Sequence, residues 1–392
     1  MTSSIRLPND DGRLEEFTMP KAASWRPAKA GQPLARVALS AGHVVSNPLA
    51  DISPMRDVAI DFDATQRFRD HLWDLGLGVA EAMDTAQRGM GLNWASAQVL
   101  IRNTVEAARS RPGAVVFSGV GTDHLDSANA TLDDVVRAYL EQLSFVQGIG
   151  GRVILMASRA LVRAAKGPED YASVYQRVLA EADQPVILHW LGDMFDPALA
   201  GYWGQNGVDE AMDVCLGMIE DNVDKVDGIK ISLLEARYEI AMRRRLPASV
   251  KMYTGDDFNY PEMIAGDETG FSHALLGIFD PIAPAASAAL RALTEQGEAS
   301  GREAFRAILD PTVELSRELF RAPTQYYKTG VVFLAYLSGH QDHFTMLGAQ
   351  QGARSILHLS RVFRHAASIG LFADPGRAAS RMRTVLALHG LA

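Results

Sequence analysis

Short apolar runs alternate with longer amphipathic segments from residue 36 onward, and this order predicts parallel β/α units. The predicted helices carry apolar residues three and four positions apart, as in "NWASAQVLIRNTVEAARS" and "TLDDVVRAYLEQLSFVQ". The predicted strands are RVALSA (36–41), LGVAEAM (77–83), AVVFSGV (114–120), RVILMA (152–157), PVILHW (185–190), VDGIKIS (226–232), SVKMYTG (249–255) and GFSHAL (270–275). Eight such strands are the number that closes a β/α barrel.

The segments on either side of these units have a different pattern. Residues 1–35 are polar and interrupted by prolines, which predicts an N-terminal arm, whereas residues 281–392 carry only helical patterns. We therefore expect an α/β protein in which residues 36–280 form a TIM (β/α)8 barrel, followed by a C-terminal helical extension. The alternative is a doubly wound open sheet with a nucleotide loop at "FSGVGTDH", where His124 replaces the third glycine of the dinucleotide-binding fingerprint.

Composition narrows the class of partner. The hydrophobic fraction of 47% and the charged fraction of 22% are typical of a soluble globular protein, and the net charge of −9 argues against nucleic acid and anionic membranes. The composition agrees better with a small-molecule substrate than with either of these partners. The sequence has neither a signal-peptide pattern nor an apolar run of membrane-spanning length, so we expect a cytoplasmic protein. The single cysteine, Cys215, lies in a helical pattern and is expected to be a buried, inert thiol in a reducing compartment.

Polar residues near the carboxyl ends of the strands are the candidates for chemistry, because those ends form the active face of a parallel barrel. They are His43, Asp84, Thr85, Asp123, His124, Arg159, His189, Lys230, Asp256, Asp257 and His273. Lys230 interrupts an apolar strand in which Ile229 and Ile231 share the opposite face, so alternation turns the lysine into the barrel mouth. By the same alternation, His189 on the adjacent predicted strand lies beside the lysine at a similar height.

A lysine in this position suggests covalent chemistry. An amine in a largely apolar pocket loses solvation as a cation, which leaves neutral amine available to attack a carbonyl, and a nearby imidazole can move protons. The alternative is a structural lysine paired with Asp84, Asp256 or Asp257. Lys251 and Lys328 compete for the catalytic role, but the first lies early in its strand and the second lies in the helical extension.

The segment "VDGIKIS" followed by "YTGDD" resembles the dihydrodipicolinate synthase and N-acetylneuraminate lyase family, whose members are Schiff-base aldolases on an eight-fold barrel with C-terminal helices. The similarity covers roughly residues 36–350. "AIDFDATQRFRDHLWDLG" resembles the first barrel helix, "QPVILHW" the fifth strand, "DETGFSHALLGIFDP" the eighth strand and "APTQYYKTG" the C-terminal helices. The resemblance implies that Lys230 is the Schiff-base lysine, that no cofactor is needed and that the protein is a homo-oligomer.

The sequence departs from the family at several positions. His189 stands in place of the catalytic tyrosine, and "AMDTAQ" replaces the paired threonines and glycine, so that Asp84 would repel a substrate carboxylate. The family's arginine after the fifth strand is missing, and Asp193 and Asp196 are present instead. "SRALV" replaces an aromatic pair and leaves Arg159, which could hold one carboxylate or phosphate. We therefore expect a sugar-derived ketone or a keto acid with few negative charges.

The sequence thus predicts a lyase or aldolase whose substrate is a small keto acid or a sugar-derived carbonyl compound. The enzyme makes or breaks a C–C bond in this substrate, or dehydrates it. The expected catalytic residues are Lys230 and His189, without a metal, and the expected substrate-binding residues are Asp84, Thr85, Asp123, His124, Arg159, Asp256, Asp257 and His273. One alternative is a divalent-metal sugar isomerase or epimerase using His43, Asp84, Asp123, His124, His189 and His273. Another is a barrel that binds a ligand without catalysis.

Overall fold

The computed structural model describes residues 4–83 and 87–391. Within these residues the strands are β1 (Ser4–Pro8), β2 (Leu14–Thr18), β3 (Ala38–Ser40), β4 (Gly78–Glu81), β5 (Val116–Val120), β6 (Arg152–Leu155), β7 (Val186–Leu191), β8 (Val226–Ser232), β9 (Lys251–Thr254) and β10 (His273–Leu276). β3 to β10 form a closed parallel barrel in sequence order, in which β10 pairs with β3. The predicted (β/α)8 barrel is confirmed, and the doubly wound open sheet is wrong.

Amphipathic helices surround the barrel and continue beyond it. In the described chain they are α1 (Phe62–Asp74), α2 (Trp94–Arg109), α3 (Leu132–Gly148), α4 (Arg159–Ala164), α5 (Pro168–Ala180), α6 (Val208–Asp221), α7 (Ala236–Arg243), α8 (Tyr260–Ala265), α9 (Ala283–Leu309), α10 (Val313–Leu319), α11 (Tyr327–Ser338), α12 (Ile356–Ser368) and α13 (Pro375–Leu388). Several of these helices have a side-chain cap at the N-terminus; Thr131 and Asp134, for example, form a capping box on α3. Helices after the last strand confirm the predicted helical extension. None of the helices described here is long and apolar enough to cross a membrane.

Two apolar layers build the core. Side chains inside the barrel form one cluster that includes Phe117, Ile187 and Tyr253, and a larger cluster lies between the strands and the helices. Ile229 and Ile231 belong to the outer cluster, as the alternation in β8 predicts. The opposite face of β8 therefore points into the barrel.

A buried ion pair fixes the first two barrel strands to α1. The Nε and Nη2 groups of Arg69 donate to the two carboxylate oxygens of Glu81 at 2.9 and 2.8 Å, and Thr104 Oγ1 donates to the same carboxylate at 2.8 Å. Arg69 also donates to the backbone oxygen of His43 in the loop after β3. Because both charges are buried and hydrogen-bonded, removing either partner alone would leave an unpaired charge in the core.

An N-terminal hairpin of β1 and β2, which the sequence patterns do not predict, packs on the last two helices. Ile5 and Leu7 of β1 are buried, and the rings of Phe17 and Phe363 lie 6.2 Å apart in an edge-on contact. Arg364 of α12 donates to the backbone oxygen of Leu7 at 3.2 Å. The beginning of the described chain is therefore held by its final helices.

Candidate active site

Lys230 lies on the inner face of β8, close to the carboxyl end of the strand, and its residue is only 6% exposed. In the sheet register it is paired with His189 of β7 on one side and with Tyr253 of β9 on the other. A Cβ atom built on Gly255 would lie 2.6 Å from Lys230 Cε, so the glycine leaves the space that the lysine side chain occupies. The predicted neighbouring position of His189, at the same height as Lys230, is confirmed.

His189 is buried beside the lysine and is 4% exposed. Burial, and after it the positive charge of Lys230, lowers the pKa of His189 well below its usual value, so the imidazole is neutral at neutral pH. Its Nε2 lies 3.3 Å from Oγ of Ser232, which follows Lys230 by two positions on the same face of β8. Ser232 is not among the candidates named from the sequence, although strand alternation places it on the face of the lysine.

The two aspartates after β9 organise the loops at the barrel mouth. Asp256 Oδ1 accepts from the backbone N–H groups of Phe258 and Asn259 at 2.9 and 3.1 Å, and burial raises the pKa of Asp256. Asp257 Oδ1 accepts from the backbone N–H of Ile278 at 2.9 Å, which ties the loop after β9 to the loop after β10. Both aspartates are buried, and their predicted contact with substrate stays a prediction.

Asp123 pairs with Arg88, an arginine that the sequence patterns do not single out. Arg88 Nε donates to Asp123 at 3.0 Å, and Gln142 donates to the same carboxylate at 3.1 Å. Although burial alone would raise the pKa of Asp123, the charge and hydrogen bonds of Arg88, with the bond from Gln142, bring that pKa below its usual value. Asp123 is therefore a paired carboxylate at neutral pH.

Arg159, the first residue of α4, lies with Asp123 at one cleft above β5 and β6. Its Nε donates to Asp196 Oδ2 at 2.6 Å, and Asp196 is buried. The cleft is also lined by Thr122 and Met156. The structure thus brings together two of the predicted substrate-binding residues, on the side of the barrel next to β7.

His273 does not lie at the active face, and the prediction that it does is wrong. It is the first residue of β10, at the amino end of the barrel, where its Nδ1 accepts from the backbone N–H of Val37 at 3.0 Å. Burial, followed by the positive charges of Lys251 and Arg36, lowers the pKa of His273 to about 4. The strand begins at His273 rather than three residues earlier, so the histidine opens the strand instead of closing it.

His43 and His124 point away from the barrel mouth. The ring of His43 is fully buried against Phe68 of α1, at a centroid distance of 4.3 Å, and its Nδ1 lies 2.8 Å from Asp280. His124 lies on the outside next to α3, with its Nε2 3.2 Å from Glu141. The prediction that these two histidines face the active mouth is therefore wrong.

The metal-site alternative loses its geometric basis, since three of its histidines are spread over different parts of the fold. In residues 4–83 and 87–391 no group of three or more His, Cys, Asp or Glu side chains is arranged to hold a metal ion. Asp84 and Thr85 lie outside the described residues, so their predicted part in substrate binding stays a prediction.

The two competing lysines occupy other places. Lys251 Nζ donates to Asp227 at 2.8 Å near the amino end of the barrel, and Lys328 Nζ donates to the backbone oxygen of Ala41 from helix α11. Cys215 is buried as predicted, and burial raises its thiol pKa. Of the three lysines, Lys230 is the one that lies close to the carboxyl end of a barrel strand, which is the active face of a parallel barrel.

The closed parallel barrel with its C-terminal helices defines the class of protein: a TIM barrel with the dihydrodipicolinate synthase fold. The chain belongs to the family described as "Protein of unknown function (DUF993)", whose family model matches residues 5–391. No curated protein matches the sequence significantly.

Solved structures show the same fold at low sequence identity. The 4-hydroxy-tetrahydrodipicolinate synthase from Methylacidiphilum fumariolicum SolV is 17% identical, with a TM-score of 0.59, covering 86% of this chain and 99% of its own. YagE, a prophage protein of the dihydrodipicolinic acid synthase family from E. coli K12 solved with pyruvate, is 14% identical, with a TM-score of 0.60 and coverages of 92% and 100%. Dihydrodipicolinate synthase from Aquifex aeolicus is 14% identical, with a TM-score of 0.59 and coverages of 91% and 98%. The resemblance inferred from the sequence is confirmed at the level of the fold.

Proposed function

We propose that the protein is a Schiff-base lyase of the aldolase type. Its substrate is a small keto acid or a sugar-derived carbonyl compound, in which it makes or breaks a C–C bond or from which it removes water. The observation that carries the proposal is the position of Lys230, buried on the inner face of β8 next to the neutral imidazole of His189. Surface lysines are solvated and mobile, whereas this one is held inside the barrel beside a group that can exchange protons.

The chemistry begins with attack of the Lys230 amine on the substrate carbonyl carbon, which forms a C–N bond and a carbinolamine. Protonation of the carbinolamine oxygen and loss of water give the iminium ion. Its positively charged nitrogen accepts the electron pair that is released when a C–C bond breaks or an α-proton leaves, which gives an enamine. The enamine then takes up a proton or adds to a second carbonyl, which regenerates an iminium ion, and water hydrolyses this ion to the product and the free amine. The reaction therefore needs a positioned lysine and a group that moves protons at the α-carbon and the oxygen.

His189 suits the proton transfers. Because its pKa is depressed, it is unprotonated at neutral pH, so it can accept a proton from the carbinolamine or from the substrate and then return it. Ser232 Oγ, 3.3 Å from His189 Nε2, can orient the ring by a hydrogen bond. The sequence resemblance leads us to expect His189 at the position of the family's catalytic tyrosine, which supports an acid–base role.

The rest of the proposal concerns the substrate and the setting of the enzyme. Acidic side chains at the mouth favour a polyol-like substrate, because carboxylates accept hydrogen bonds from hydroxyl groups. The same proposal includes a cytoplasmic location, a homo-oligomeric state and catalysis without a cofactor.

Borohydride reduction tests the mechanism directly. The protein is incubated with a panel of 2-oxo acids and keto sugars, reduced, digested and examined by peptide mass spectrometry. A stable adduct on Lys230 is expected, and the compound that gives it identifies the substrate class. Adducts on Lys251 or Lys328 alone would contradict the assignment.

Replacement of the lysine separates an enzyme from a ligand-binding barrel. Lys230→Ala should abolish the adduct and lower turnover by orders of magnitude. The exposed Lys166 provides the control, because Lys166→Ala removes an equivalent amine outside the barrel mouth. A Lys230→Ala protein that keeps its full turnover would refute the proposal.

A further inference from the structure

The cleft above β5 and β6 contains two arginines that are used in different ways. All three guanidinium nitrogens of Arg88 donate hydrogen bonds to protein acceptors. Nε and Nη2 donate to Asp123, Nη2 also donates to Gln142, and Nη1 donates to the backbone oxygens of Ala82 and Gly119. Arg88 is buried and fully engaged, so it holds the cleft together.

Arg159 is placed differently. Only its Nε is engaged, with the buried carboxylate of Asp196, while its two terminal nitrogens have no hydrogen-bond acceptor among the described residues. The side chain is 38% exposed and lines the cleft together with Thr122 and Ser127. A guanidinium held by its Nε presents Nη1 and Nη2 as a fixed fork, which matches the two oxygens of a carboxylate or phosphate.

The cleft lies beside the proposed reaction centre. Met156, which lines the cleft, follows Leu155, which pairs with Leu188, so the register places Met156 opposite His189 and, across β7, two strands away from Lys230. Neighbouring strands are about 4.8 Å apart, so two strand spacings separate Met156 from Lys230 by about 10 Å. A substrate bound to Lys230 and extending past β7 would reach the cleft with its far end.

We propose that Arg159 binds the anionic end, a carboxylate or phosphate oxyanion, of the carbonyl compound that reacts with Lys230. This inference rests on the proposed function and narrows its substrate class to chains of several carbons with a carbonyl near one end and an anionic group near the other. The hydrogen bond to Asp196 fixes the orientation of the Arg159 guanidinium before the substrate binds, which lowers the entropy cost of binding. Since Asp123 and Asp196 are each paired with an arginine, neither is an isolated negative charge facing the ligand.

A matched pair of ketones tests the subsite without requiring turnover. Calorimetric affinities of 6-oxoheptanoate and of neutral 2-heptanone are measured for the wild type, Arg159→Ala and Arg163→Ala. Arg163 is an exposed arginine one turn further along α4 and serves as the control. Loss of a charge-assisted pair should weaken 6-oxoheptanoate binding by Arg159→Ala about 10- to 100-fold, and leave 2-heptanone and the Arg163→Ala variant unaffected.

Arg159→Lys and competition complete the test. The lysine keeps the charge but loses the fork, so its affinity should lie between those of the wild type and Arg159→Ala, and it reports on the subsite if the alanine variant melts early. Stronger competition by inorganic phosphate assigns the site to phosphate, and stronger competition by acetate assigns it to a carboxylate. Any one of three results overturns the inference. They are equal affinity of the wild type for both ketones, unchanged 6-oxoheptanoate binding by Arg159→Ala, and no competition by either anion. Borohydride reduction of the same mixtures tests Lys230 separately, so a missing adduct would count against the proposed function alone.

Discussion

Glu239, on α7 behind β9 and β10, is a buried carboxyl whose replacement should stabilise the protein at neutral pH. The residue is 1% exposed; Ser272 Oγ donates to its Oε1 at 2.6 Å, and its Oε2 has no partner among the described residues. Burial raises the pKa of Glu239 from 4.5 to about 8. At pH 7 the native protein therefore holds a proton on this carboxyl that the unfolded chain has released.

The loss in the free energy of unfolding that Glu239 causes at neutral pH follows from this difference in bound protons. Between pH 4.5 and pH 8 the native state binds one more proton than the unfolded state, so stability falls as the pH rises through this window. Each pH unit above the ordinary pKa costs about 1.4 kcal/mol, which amounts to about 3 kcal/mol at pH 7. Glu239→Gln replaces the protonated acid by a neutral amide of the same shape, and it should recover this amount at pH 7 and little at pH 4.5.

Urea unfolding of the wild type and Glu239→Gln at pH 4.5 and pH 7 measures the effect. Glu262→Gln, which changes an exposed glutamate on α8, is the control and should alter the free energy of unfolding by less than about 0.5 kcal/mol at either pH. A gain that is the same at both pH values, or no gain at pH 7, would show that Glu239 is not protonated in the native state.

Two further predictions concern the barrel mouth and acid stability. Gly255→Ala places a methyl group against Ser232, the backbone oxygen of Ile231 and Lys230 Cε, and it should abolish the borohydride adduct. Gly217→Ala, where a Cβ meets open space on α6, should leave the adduct intact. Burial, followed by the charge of His71, lowers the pKa of His340 to about 3, so the contribution of His340 to stability should fall as the pH drops below about 6.5, by about 2 kcal/mol at pH 5. His340→Phe should remove most of that loss in urea unfolding.

The outcomes that contradict these predictions are specific. A Lys230 adduct of full yield in Gly255→Ala would mean that the lysine side chain does not occupy the space beside the glycine. Equal acid sensitivity of His340→Phe and the wild type would mean that His340 titrates normally in the folded protein.

Strand periodicity was sufficient to predict the barrel and to orient the key lysine. A period of two residues separates Ile229 and Ile231 from Lys230, and this local rule needs no knowledge of distant residues. The same rule failed at His273, because the apolar run begins with Phe271. That ring lies outside the strand, with the guanidinium of Arg36 3.4 Å from its centroid, and the strand itself begins at His273.

The partners of the polar residues could not be predicted, because they come from distant parts of the chain. The sequence pattern predicts His43 at the barrel mouth, but it does not reveal the contacts of its ring with Asp280, remote in sequence, and with Phe68 of α1. Arg88 lies in a loop without any motif, and only the fold brings it to Asp123. Sequence patterns encode which face a side chain occupies, whereas the identity of its partner depends on packing.

The N-terminal hairpin bears on how the chain is made. Its two strands are synthesised before the barrel, but Phe363 and Arg364, which cover them, are synthesised after the whole barrel. An isolated two-stranded hairpin is marginally stable in water, so Ile5 and Leu7 stay unprotected during most of translation. We therefore expect the hairpin to dock late, after α12 and α13 have folded.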